Sequence, residues 1–209
     1  SLYNLFSALL NDGDEVIVPA PFWVSYPAQV RIAGGTPVVV ESTPEGNFCP
    51  TIDHLERAVT PRTRAIILNS PSNPTGAVWT REQLEGIADW LLGHPQIIAV
   101  YDGIYEALVY HGEYHELAAL RPELKQQVVC INGVSKSFAM TGWRIGWALG
   151  PRPLLKAMAK LQGQSTSGAT SIAQWAALAA LNLDPEIVDA MRTSYDGRRI
   201  LASALIEDI

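Results

Sequence analysis

Short apolar runs alternate along the chain with longer segments whose apolar residues repeat at helical spacing. The short runs are rich in β-branched residues and predict strands at residues 15–18, 36–40, 64–68, 97–101, 127–131 and 145–149. The longer segments predict helices at residues 2–10, 22–33, 52–59, 153–161 and 171–181, and a long helix after Pro185. Another helix is predicted after Thr80, because Thr80 and Gln83 form a capping box. Its core-facing side would consist of Leu84, Ile87, Ala88, Leu91 and Leu92.

This alternation of apolar strands and helices predicts an α/β fold. Strands without polar alternation are typical of a mainly parallel sheet covered by helices on both faces, which gives three layers, α/β/α. Asn73, Asp102 and Lys136 each follow a predicted strand. Because the carboxyl ends of parallel strands meet at one edge of the sheet, where α/β proteins bind ligands, we expect these three residues to converge there.

Composition and charge narrow the class of protein. The chain has 209 residues and a formal net charge of −6, and its basic residues are scattered. This gives no support for binding to nucleic acid or an anionic membrane, and no apolar run approaches the roughly 20 residues needed to span a bilayer. The two cysteines, Cys49 and Cys130, do not make a disulfide framework, so we predict a cytoplasmic protein. Both ends look like uncapped helix, and we expect a piece of a longer protein.

One loop combines the two side chains with the most distinctive chemistry. Lys136 follows the strand predicted at residues 127–131, and a lysine in such a loop can form a Schiff base with a carbonyl cofactor. Arg144, eight residues later, has a planar donor fork that suits a phosphate. Each residue alone is compatible with an ordinary surface cation. Together they suggest pyridoxal phosphate.

Four separated motifs resemble those of a known family. The chain is similar to the large domain of class I/II aminotransferases, which are fold-type I pyridoxal phosphate enzymes, and most similar to the bacterial aspartate and aromatic/prephenate branch. The motifs, in family order, are PFWVSYP at residues 21–27, NSPSNPTG at 69–76, YDGIY at 101–105 and KSFAMTGWRIG at 136–146. The resemblance covers nearly the whole chain.

The resemblance implies a role for each of several residues. Lys136 matches the catalytic lysine that forms the Schiff base and moves a proton at the substrate Cα. Asp102 matches the aspartate that pairs with the pyridine nitrogen of the cofactor. Tyr105 and Asn73 match the donors to its phenolic oxygen, and Asn73 also reaches the substrate carboxylate.

The resemblance also implies contacts to the ring and the phosphate of the cofactor. Trp23 matches the aromatic residue that stacks on the ring and borders the substrate, although its neighbours Phe22 and Tyr26, or plain core packing, are alternatives. Arg144 matches the phosphate-binding arginine, with Ser135 as its hydroxyl partner. Many relatives carry a second serine where this chain has Gly133, so a backbone N–H would have to replace that contact.

The implied organisation is a large cofactor-binding domain at residues 1–182, incomplete at its amino end. Residues 183–209 would begin the long helix that leads to a small domain. The implied activity is transamination between an amino acid, with L-aspartate as the best candidate, and 2-oxoglutarate, in a homodimer. The family's glycine-rich phosphate loop and its arginine for the substrate α-carboxylate would lie outside the chain, so we expect the fragment alone to be inactive.

Two other functions remain open at this point. One is a different enzyme on the same scaffold, a C–S β-lyase or a decarboxylase. The other is an effector-sensing domain of a transcription regulator. His111 and His115 lie four residues apart near Glu113, but we interpret this segment as a solvent-facing loop and predict no metal. Cys130 is predicted to lie in the core.

Overall fold

The computed structural model describes residues 1–207 and contains a single six-stranded sheet with the order β2-β1-β3-β4-β5-β6. The strands are β1 (Glu15–Pro19), β2 (Thr36–Val40), β3 (Thr63–Asn69), β4 (Ile98–Asp102), β5 (Val128–Gly133) and β6 (Gly146–Leu149). The first five pair in parallel, and β6 pairs antiparallel with β5. The mainly parallel sheet predicted from the sequence is confirmed.

Eight α-helices accompany the sheet within residues 1–207. They are α1 (Leu2–Leu9), α2 (Ser25–Ile32), α3 (Ile52–Ala58), α4 (Arg81–Leu92), α5 (Leu117–Leu120), α6 (Arg152–Ser165), α7 (Ser171–Leu181) and α8 (Pro185–Glu207). Short 3-10 turns lie at Pro44–Gly46, Glu106–Leu108, Pro122–Gln126 and Thr141–Trp143.

The sheet separates two apolar cores, as a three-layer fold requires. Strand residues alternate between the faces, so that Ile17 packs with α3, α4 and α5, whereas Val16 and Val18 pack with α1, α2 and α6. Because the inner strands are buried on both faces, their carboxyl ends stay fixed relative to one another. That edge therefore provides a rigid platform for the loops that follow.

Three details of the predicted helices and strands are wrong. Helix α2 begins at Ser25 rather than residue 22, because the apolar run continues through the preceding loop without a polar cap. Leu92 is exposed, because it lies about 100° around the helix from buried Leu91, and Trp90 is buried instead. Asp102 is the last residue of β4 rather than the first residue beyond it.

The capping box of α4 is confirmed. The Thr80 side chain accepts a hydrogen bond from the Gln83 N–H, and the Gln83 side chain accepts one from the Thr80 N–H. Cys49 and Cys130 both have free thiols. Within residues 1–207, none of the helices combines the length and the apolar character that crossing a membrane requires.

Candidate active site

A cavity of about 500 Å³ opens at the carboxyl ends of the central strands. The three residues expected to converge, Asn73, Asp102 and Lys136, all line it. The cavity walls also include the other four residues singled out from the sequence: Trp23, Tyr105, Ser135 and Arg144. Side chains from four sequence segments therefore share one space.

Asp102 lies at the base of this cavity and is 4% exposed. The Tyr26 hydroxyl donates a hydrogen bond of 2.8 Å to its Oδ2, and the Ile104 N–H donates one of 3.2 Å to its Oδ1. Burial raises the pKa of Asp102, and these two hydrogen bonds lower it in part. The carboxylate is thus oriented by two donors in a poorly hydrated position, where a positively charged ligand group would stabilise its ionised form.

Asn69 joins the two loops that flank Asp102. Its side-chain amide donates to the Asp102 carbonyl oxygen at 2.9 Å, and its side-chain oxygen accepts from the Asn73 N–H at 2.8 Å. The loop that contains Asn73 is therefore fixed to the end of β4. Tyr105, three residues beyond Asp102, is half-buried beside it; burial and the Asp102 charge raise the pKa of Tyr105, and a hydrogen bond with the Asn73 side chain lowers it.

Lys136 lies three residues beyond the end of β5. Its Nζ is 5.8 Å from the centroid of the Tyr105 ring, so the amine and the Tyr105–Asn73 pair face the same cavity. Ser135, the preceding residue, also lines the cavity. A primary amine can form a Schiff base with a carbonyl ligand, and the two neighbouring hydrogen-bond donors suit an oxygen next to that carbonyl.

Arg144 reaches the cavity from the end of the same loop. Its backbone adopts a left-handed conformation with φ 54°, which costs about 1 kcal/mol or more for a residue other than glycine. Its guanidinium donates to the Thr141 carbonyl oxygen at 2.7 Å. The side chain is exposed, so its remaining donors are available to an anion.

Gly133 lies where strands β5 and β6 approach closely. A Cβ atom there would be 2.7 Å from the Ile145 carbonyl oxygen and 3.0 Å from Gly146 Cα, so a serine would not fit without backbone movement. The Gly133 N–H already donates to the Asn132 side chain at 2.7 Å. The Gly133 N–H is therefore already engaged within the chain.

Trp23 and Tyr26, two of the aromatic residues considered for the ring contact, occupy different positions in the structure. Trp23 is 37% exposed at the cavity wall, and its ring meets the Tyr26 ring edge to face, with centroids 5.4 Å apart. Tyr26 is buried and directs its hydroxyl to Asp102. Burial and the Asp102 charge raise the pKa of Tyr26, so its hydroxyl stays protonated and donates.

Sequence reasoning missed the parts played by Tyr26 and Asn69. Tyr26 and Asp102 are 76 residues apart, and no local pattern connects them. The available signal was that Tyr26 and Asn69 lie within the motifs at residues 21–27 and 69–76, which marked their segments as parts of the site. The segment from His111 to His115, which the sequence predicts to face solvent, is exposed at residues 111–113, but Tyr114 is half-buried and its hydroxyl donates to Glu116 at 2.7 Å.

Comparisons with known proteins agree with this geometry. The family model for aminotransferase class I and II matches residues 1–208. The aspartate aminotransferase of Geobacillus stearothermophilus is 53% identical over 199 residues, which is 95% of this chain and 50% of that protein. The aspartate/prephenate aminotransferase of Cereibacter sphaeroides is 48% identical over 208 residues, which is 99% of this chain and 52% of that protein.

Solved structures give the same result. The crystal structure of the aspartate aminotransferase from Rhizobium meliloti matches with a TM-score of 0.93 at 45% identity and covers 96% of this chain and 50% of that one. The chain therefore spans about half the length of the relatives it matches.

Proposed function

Because the chain belongs to the class I and II aminotransferases, we propose that the intact protein transfers an amino group between L-aspartate and 2-oxoglutarate. Enzymes of this family are pyridoxal phosphate-dependent. The choice of aspartate is supported by the names of the relatives, which are aspartate or aspartate/prephenate aminotransferases. The observation that supports the proposal most strongly is the shared cavity of the seven site residues.

The described residues fit pyridoxal phosphate. A cavity of about 500 Å³ is in the range of small-molecule sites. The Asp102 carboxylate is buried with a raised pKa, as expected of a group that gains a cationic partner on ligand binding. Lys136 and Arg144 add an amine and a phosphate-binding fork to the same space.

When bound, pyridoxal phosphate supplies an aldehyde that reacts with amines and a ring that accepts electron density from the substrate Cα. Lys136 would bind the aldehyde and, once the substrate amine has displaced it, take the proton from the substrate Cα and deliver it to the former aldehyde carbon of the cofactor. Asp102, oriented by Tyr26, would hold a proton on the ring nitrogen. Tyr105 and Asn73 would donate to the phenolic oxygen.

Three residues would orient the remaining parts of the ligand. Trp23 would cover one face of the ring and exclude water from it. Arg144 and Ser135 would bind the phosphate. Trp23 and Asn73 would also border the substrate, Asn73 by donating to its carboxylate.

We extend the proposal to the organisation of the intact protein. Residues 1–182 form the cofactor-binding domain, and residues 183–209, of which 208 and 209 lie outside the described part, begin the helix to a second domain. The long helix α8, with no buried residue, supports this division. A homodimer in the cytoplasm completes the proposal, the location being supported by the free thiols of Cys49 and Cys130.

The proposal is tested by incubating the intact protein with pyridoxal phosphate, L-aspartate and 2-oxoglutarate and measuring glutamate by chromatography. We expect stoichiometric formation of glutamate and oxaloacetate, and no product above background with the Lys136→Ala variant. Pyruvate and ammonia from a sulfur amino acid would indicate a C–S β-lyase instead, and carbon dioxide would indicate a decarboxylase. Tight binding of cofactor and amino acid without any product would indicate an effector-sensing domain.

A further inference from the structure

We propose that Tyr114, held by Glu116, is a positioning residue that fixes Asp102 from behind the cavity by packing against Gly103. The inference rests on the proposed function and adds to it a support for the residue that would pair with the cofactor ring. Tyr114 does not line the cavity, and none of the roles assigned above includes it.

The first observation concerns the space around Gly103. Gly103 does not adopt the left-handed conformation that favours glycine, so its backbone angles would accept a side chain. The space would not: a Cβ atom there would lie 2.6 Å from the Tyr114 hydroxyl oxygen. The Tyr114 hydroxyl therefore packs directly against the Gly103 backbone and would have to shift if position 103 carried a side chain.

The second observation is that the Tyr114 hydroxyl is itself held in place. It donates to Glu116 Oε2 at 2.7 Å, and Glu116 Oε1 accepts from the Cys130 thiol on β5 at 3.2 Å. Burial raises the pKa of both Tyr114 and Cys130, so both groups stay protonated and donate. The Tyr101 hydroxyl of β4 donates to the His115 carbonyl oxygen at 2.7 Å. Segment 114–116 is thus attached to two central strands.

The third observation connects Gly103 to the carboxylate. Gly103 lies between Asp102 and Ile104, whose N–H donates to Asp102 Oδ1. A displacement of Gly103 would therefore move both the carboxylate and one of its two donors. Tyr26 holds the other oxygen from α2. Asp102 is in this way fixed from two sides, by Tyr26 at the cavity and by Tyr114 behind the backbone.

A double-mutant cycle in the intact protein tests the inference. The variants are Gly103→Ala, Tyr114→Phe and their combination, with Gly163→Ala as the control, since a Cβ atom at Gly163 meets nothing within 4 Å. The readouts are the dissociation constant of pyridoxal phosphate, the pH midpoint of the absorption change of the bound cofactor, and the Tm of the apoprotein. The midpoint reports on Asp102, because a ring that keeps its positive charge lowers the pKa of neighbouring groups.

We expect Gly103→Ala to weaken cofactor binding about tenfold and to raise the midpoint. Tyr114→Phe, which loses one hydrogen bond, should weaken binding about fivefold. In the Tyr114→Phe background, Gly103→Ala should weaken cofactor binding less than about twofold. Without the hydroxyl, the nearest atom is the ring carbon Cζ of residue 114, which is at an ordinary contact distance of 3.5 Å. Gly163→Ala should match the wild type in cofactor binding and in the midpoint, and it should raise the Tm slightly, because alanine favours the interior of helix α6.

Unchanged cofactor binding and an unchanged midpoint in Gly103→Ala would overturn the inference. It would also be overturned if Gly103→Ala weakened cofactor binding by the same factor in the wild type and in Tyr114→Phe. A lower Tm with an unchanged midpoint would make the contact merely structural and would also overturn it. If Gly103→Ala does not fold, the midpoint of Tyr114→Phe decides in the same way. Failure of the wild-type protein itself to bind the cofactor would refute the proposed function instead.

Discussion

In the protein without cofactor, the surroundings of Asp102 have opposing effects on the ionisation of its carboxyl group. Its carboxylate is almost fully buried, which favours the neutral form, while Tyr26 and the Ile104 N–H are arranged to bind the ionised form. The net result is a raised pKa. A buried charge that only a ligand can neutralise lowers stability, and proteins keep such groups mainly where function requires them.

This conflict predicts that Asp102→Asn stabilises the apoprotein at neutral pH. A carboxyl group whose pKa is raised on folding contributes stability at low pH and loses it as the pH rises from its ordinary value of 3.8 through the folded value. Asp102→Asn has no such carboxyl group and does not lose this stability. Its free energy of unfolding should therefore exceed that of the wild type by a margin that grows with pH and reaches about 1 kcal/mol at pH 7.

The difference in unfolding free energy between Asp102→Asn and the wild type is measured by chemical denaturation of the intact apoprotein at several pH values between about 4 and about 8. The matched control is Asp12→Asn, which alters an exposed aspartate outside the site. A difference between Asp102→Asn and wild type that is constant over this range, or that shrinks with pH, would contradict the expectation.

At the scale of single elements, the junction of β5 and β6 leaves too little space for a side chain at Gly133. The Gly133 backbone passes so close to the Ile145 carbonyl that a Cβ atom would be 2.7 Å away, and the obstructing atom belongs to the backbone. This contact lies at the base of the Lys136 loop. Its close packing therefore also sets the position of Lys136.

We expect Gly133→Ala to lower the free energy of unfolding by about 2 kcal/mol, because overpacking against backbone atoms forces the strands apart. Gly142→Ala is the control in the same loop, since a Cβ atom there meets nothing within 4 Å. Urea denaturation of the intact apoprotein compares the two variants. Equal stability of both would show that the strands adjust without strain.

Most elements followed from the sequence because local patterns determine them. The capping box located the start of α4, and the bounds of α7 and β2 matched the prediction. The exceptions have local causes too. The four-residue helix α5 is too short for a periodic pattern, and the start of α2 is hidden by an apolar run.

At the scale of the whole molecule, the topology brought the predicted site residues together, because Asn73, Asp102 and Lys136 lie at or just beyond the carboxyl ends of three neighbouring parallel strands. The side-chain contact that orients Asp102 was not predictable, since Tyr26 donates to it from 76 residues away in the sequence. The exposed apolar side chains of α7, Ile172 and Trp175 among them, fit the proposal that further parts of a dimeric protein cover this chain.

The most direct test of the account is borohydride reduction of the intact protein with pyridoxal phosphate, followed by peptide mass mapping. We expect one stable adduct per chain, on Lys136, with the other lysines of this segment, Lys125, Lys156 and Lys160, unmodified as internal controls. An adduct distributed over several lysines, or none at Lys136, would contradict the assignment of the cavity as a pyridoxal phosphate site.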